Sequence, residues 1–228
     1  MQINRINNTL NFRENYKNDK NNKKESPSIS AAAGALCASL LSVGAISMLT
    51  KGKLTLDIFD SGNLKKDLAT VLTLSTASIT GGLLGGLIEA KNPEDKKAKV
   101  KESVFDIMSV AIPSTLATSV LAIAQKKNIK SPLVQVAATL CGVGLGMPLA
   151  QKFVNTLDRQ INKSNPNAKT NERKLRPQDY LVHIDDIIAI ATISKVPFAK
   201  FLHADRLLPF IYAWCGCEAG SKTADDKE

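Results

Sequence analysis

Two histidines and a handful of aspartates in the last fifty residues are the side chains best suited to chemistry. His183 and Asp186 sit in "YLVHIDDIIAIATISK", and His203 and Asp205 in "KFLHADRLLPF". On a helix starting at Pro177, a residue that suits a first helical position, Asp179, His183 and Asp186 share one face while Asp185 points about 100° away. Gathered across a bend at Pro197, the nitrogen and oxygen atoms of His183, Asp186, His203 and Asp205 would form a metal site. A carboxylate beside His183 would instead tune an acid–base group near neutrality. A third arrangement needs no reactive centre: Asp185 or Asp186 pairs with Lys195, Lys200 or Arg206 between two packed helices, and this is the expected one. No catalytic residue is assigned.

Cysteine adds little to that inventory. Cys37 and Cys141 lie inside apolar runs, where a thiol behaves as a small hydrophobe, and Cys215 with Cys217 is a single pair without the second pair of a zinc site. No metal and no other cofactor is expected.

Glycine is the more informative residue. Gly81 with Gly85, Gly82 with Gly86, and Gly142 with Gly146 each stand four apart, so on helices their missing side chains open grooves. In lipid, where apolar burial does not drive helices together, such grooves allow close backbone packing. They could serve one chain or join it to a second copy or another membrane protein. "GGLLGG" and "GVGLG" lack the Lys-Ser/Thr ending of a phosphate loop. Gly82, Gly86 and Ala90 recur sixty positions on as Gly142, Gly146 and Ala150, a faint hint of duplicated hairpins.

The elements carrying these residues follow from charge segregation. Uncharged runs extend over Ser26–Thr50, Leu68–Ile88, Ile107–Gln125 and Ser131–Gln151, of 25, 21, 19 and 21 residues, with nearly all Lys and Arg between them. About 20 helical residues cross a hydrocarbon layer of about 30 Å, and a surface helix of a soluble protein needs a polar stripe that these runs lack. The five residues "KKNIK" force the last two spans to run antiparallel. The runs are rich in Ala, Ser, Gly and Thr, so buried helices of a soluble bundle are the competing arrangement. Pro113 is expected to kink the third helix, with Ser109 and Ser114 helping to satisfy freed carbonyls.

Lys and Arg number six before the first run, then four, five, three and seven in the successive segments. The richer set places the N-terminus in the cytoplasm by the positive-inside rule. A formal charge of +9 also raises nucleic acid, but only 5% of residues are aromatic and the basic residues form no single face, so no nucleic-acid partner is expected.

The sequence thus predicts an all-α integral membrane bundle of four transmembrane helices in two hairpins, plus a C-terminal interfacial or re-entrant helical pair. Residues 1–27 are expected to be a disordered cytoplasmic tail, 28–151 the membrane region, 152–176 a basic cytoplasmic linker, 177–220 the helical pair and 221–228 a tail. Ile187–Ser194 and Leu207–Cys217 are too short to span alone, and Phe198, Phe201, Phe210, Tyr212 and Trp214 suit headgroup depth. The lipid bilayer, in the inner membrane of a bacterial cell, is the expected partner. The expected role is structural or interactive; a small transporter or channel is the alternative, and an enzyme or metal binder using the His183/Asp186 face the less expected class.

Overall fold

A computed structural model describes residues 28–56, 58–59, 63–129, 131–163, 172–175, 188 and 204–223. Among them there are helices and no strand: α1 (Ile29–Lys51), α2 (Leu64–Glu89), α3 (Pro93–Lys126), α4 (Pro132–Asn162) and α5 (Ala204–Ser221).

Local chemistry explains the helix ends. The Ser28 hydroxyl accepts the Ala31 N–H at 3.0 Å and caps α1. At its other end Gly52, with φ of 67°, returns its N–H to the Met48 carbonyl, a left-handed turn that glycine adopts without steric cost. Asn63 caps α2 by accepting the Lys65 N–H at 3.0 Å. Pro93 and Pro132 open α3 and α4, where a missing N–H forfeits nothing.

α1, α2 and α3 are each long and apolar enough to cross a membrane. The fourth expected span falls on α4, where several side chains near Pro132 lie outside the described residues. α3 has 34 residues and α4 31, about 50 Å and 46 Å long, so both outrun a layer of about 30 Å. The charged stretch "PEDKKAKVKE" after Asn92 forms the first third of α3. Likewise α4 continues to Asn162, well into the stretch expected as linker. These extensions run together and are tied by Lys101 and Asp158 at 3.6 Å.

α1 packs most extensively on α2 and α3 on α4; α5 packs on α1 and α2, and α2 on α3. A cluster of Val43, Ile58, Phe59, Val71, Leu74, Val110, Leu208 and Tyr212 joins the first of these groups to α3. Tyr212, expected at headgroup depth, is completely buried there. It faces the bundle because α5 lies between α1 and α2, whereas Trp214, two positions on, points outward.

Burial departs from the pattern of a water-soluble bundle in that hydroxyls are buried while large apolar side chains are exposed. Ser39, Ser47, Ser78, Ser109 and Ser114 are fully buried, while Leu41, Leu49, Ile88 and Trp214 are 74, 87, 82 and 69% exposed. Small and hydroxyl-bearing residues share the helix contacts with apolar ones such as Val71, Leu74 and Ile79, and many large apolar residues face out. Lipid satisfies that outer surface; water would not.

Candidate functional site

The residues that bring backbones closest together form a seam of three helices. Adjacent glycines on a helix point about 100° apart, so the two pairs on α2 address two different neighbours. A Cβ on Gly81 would overlap the Gly34 carbonyl and Ala38 Cβ, and one on Gly85 the Ser30 carbonyl, both on α1. A Cβ on Gly82 would overlap the Gly216 carbonyl, and one on Gly86 the Gly220 carbonyl, both on α5. Ascending order on α2 matches ascending order on α5, so these two run parallel and α1 runs antiparallel to both. Ala31 and Ala35 of α1 close the third side against Gly220 and Gly216.

Serine hydroxyls stitch the same seam. Ser78 Oγ donates to the Tyr212 carbonyl at 2.8 Å, with the Ala35 carbonyl a second acceptor at 3.3 Å, so one side chain touches all three helices. Ser39 Oγ donates to the Pro209 carbonyl at 2.6 Å. Such bonds are worth about 0.6 kcal/mol on average in a membrane bundle, so the close packing outweighs them.

The seam ends in a polar cap. Ser28 N–H donates to Ser221 Oγ at 2.9 Å, Ser30 N–H to Glu89 Oε1 at 3.0 Å, and the buried Lys99 ammonium to the Gly220 carbonyl at 2.8 Å. Each bond serves a helix end: an acceptor meets the orphan N–H groups of α1 and a cation meets the carbonyl end of α5. Glu89 stands past the uncharged run of α2. Hydrogen bonds from Ser30 and then Ser28, with a smaller pull from Lys99, hold its carboxyl down to about 2 from the ordinary 4.5. A cleft of about 260 Å³ opens beside the cap, lined by Glu89, Lys91, Asn92, Asp95 and Lys99 among others. Its carboxylates and lysines offset each other in charge.

No family model, curated protein or solved structure matches this chain. Its chemistry is therefore read from its own residues. His183, Asp186 and His203 lie outside the described residues, as does the Asp205 side chain, although Asp205 falls within α5. Among the described residues no group of three or more His, Cys, Asp or Glu could hold a metal.

Gly142 and Gly146 form a second contact. A Cβ on Gly142 would lie 2.6 Å from Ala117 Cβ, and one on Gly146 2.6 Å from Pro113 Cα. The glycines make room for the proline of α3, and each of the six named glycines thus backs onto a helix of the same chain. The likeness between Gly82/Gly86 and Gly142/Gly146 does not extend to their partners, which are α5 and α3. Ser109 donates to the Asp106 carbonyl at 2.8 Å, and Ser114 Oγ is buried with no hydrogen-bond partner among the described residues. The expected repair of carbonyls freed by Pro113 is not made by these hydroxyls.

Sequence reasoning missed Gly34, Gly216, Gly220 and Lys99. The signal for the middle two was present as glycines four apart in "GCEAG". Glu218, which points outward, broke the uncharged run and hid it.

Proposed function

We propose that this chain is a multi-pass protein of the cell inner membrane with a structural or protein-interaction role. On this reading it has four spans paired as two hairpins and a cytoplasmic N-terminus. The observation that carries the membrane assignment is three helices long and apolar enough to span, with leucines, isoleucines and a tryptophan exposed on the outside while hydroxyls and glycines pack within. The uncharged run 131–151 in α4 supports the fourth span, and the Lys and Arg distribution supports the orientation.

A packing role is favoured over a conduit by what fills the interior. Glycine contacts bring backbone against backbone, and Ser39 and Ser78 direct their hydroxyls to carbonyls of neighbouring helices. Carbonate extraction of the expressed protein tests the membrane assignment. Retention in the pellet is expected, and release into the soluble fraction overturns it.

A further inference from the structure

Beyond the apolar parts of α3 and α4, residues Glu172 to Leu175 lie in the groove between the two helix extensions. Asn155 holds the Arg173 main chain at both of its polar groups. Its Oδ1 accepts the Arg173 N–H at 2.9 Å, and its Nδ2 donates to the Arg173 carbonyl at 3.0 Å. Gln151 Nε2 donates to the same carbonyl at 2.8 Å.

The Arg173 side chain enters a pocket of its own. Its Nε donates to Glu102 Oε2 at 3.2 Å and its Nη2 to Glu102 Oε1 at 3.0 Å, a two-point grip that only a planar guanidinium matches. The guanidinium carbon lies 3.5 Å from the centre of the Phe105 ring, and the residue is 7% exposed. Leu175 packs on the cluster of Phe105, Val143, Met147 and Val154. At the rim Glu172 pairs with Arg159.

Amides that pair with the main chain, together with pockets for particular side chains, are the two components by which grooves bind extended peptides. Here the main-chain clamp is Asn155 with Gln151, and the pockets take an arginine and, two residues later, a leucine. We propose that this groove is a recognition site for extended peptide segments of the form arginine-x-leucine, and that Glu172 to Leu175 is its tethered and exchangeable occupant. A segment of four residues binds weakly by itself; tethering raises its effective concentration to about the millimolar range, and that keeps the groove filled. A partner chain presenting the same motif competes for it.

The test uses the full-length protein in nanodiscs and a fluorescent hexapeptide with the sequence of residues 171–176. A double variant, Arg173→Ala with Leu175→Ala, weakens the tethered occupant. It is expected to bind the hexapeptide at least ten-fold more tightly than the unaltered chain does, and adding Asn155→Ala abolishes that binding. A hexapeptide with alanine in place of its first arginine is expected not to bind. Equal binding of both peptides, or of neither, overturns the proposal. Should the variant fail to fold, millimolar hexapeptide added to the unaltered chain is expected to speed hydrogen exchange at the Arg173 amide. An unchanged exchange rate overturns the proposal as well.

Discussion

At Gly82 the neighbour of an added Cβ is a main-chain carbonyl, which has no flexible end to move aside. Gly82→Leu therefore forces α2 and α5 apart, and a loss of about 3 kcal/mol is expected, the upper part of the range for overpacking. Gly144, also in a helix, has open space where its Cβ would be. Gly144→Ala is expected to be neutral or to stabilise by up to about 1 kcal/mol through reduced backbone entropy. Thermal unfolding of both variants in one detergent checks the contrast, and equal melting temperatures would contradict the seam. The cap makes a different demand. The Glu89 carboxyl is held near 2, below its ordinary 4.5, so its stabilising bond to Ser30 is complete above the ordinary value and is lost as pH falls toward 2. Glu89→Gln is expected to lower the melting temperature slightly at pH 6 and to make no difference at pH 2. The effect stays small because the side chain is exposed.

At the level of elements, what a sequence reveals depends on whether its rule concerns one helix or two. The absence of charge over about 20 residues is a property of single helices, and it located the apolar parts of α1, α2 and α3. The same rule was blind to α5, because Glu218 interrupts it at a position that faces away from α1 and α2. It also began α3 too late and ended α4 too early, since the extensions of both are charged and are tied to each other by Lys101 and Asp158. The grooves of Gly81, Gly82, Gly85 and Gly86 were legible from spacing; which helix fills each groove is a long-range relation that spacing does not encode. Register is where the structure commits most sharply. With Ser28 bonded to Ser221, a Ser28→Cys, Ser221→Cys chain whose four native cysteines are replaced by alanine should form an intramolecular disulfide under mild oxidation. Gly52→Cys with Ser221→Cys, at opposite ends of α1, should not. Non-reducing electrophoresis after cleavage between the two positions distinguishes them, and cross-linking of the second pair alone would reverse the direction assigned to α5.

For the whole molecule the decisive relation is between ends. The start of α1, the end of α2, the start of α3 and the end of α5 meet in the cap, and the end of α4 joins them through Asp158 and Lys101. The turn after α1 and the link between α3 and α4 therefore belong to the opposite end. That division coincides with the charge count, in which the segments holding six, five and seven basic residues alternate with those holding four and three. Alternate segments of any up-and-down bundle share an end, so the division itself follows from the helix order; the charge count bears on the proposed orientation. It converts into a labelling experiment on intact cells with a membrane-impermeant thiol reagent, using single cysteines in a chain whose native four are replaced. Lys53→Cys and Asn128→Cys are expected to react from outside, whereas Lys97→Cys and Lys222→Cys react only after the membrane is opened. Lys97 and Lys222 labelling together on either face would still fit one end of the bundle, and only the orientation would change. If Lys222→Cys instead labelled with Lys53→Cys, α5 would cross rather than return, and the seam of Gly82 and Gly86 with Gly216 and Gly220 could not exist as described.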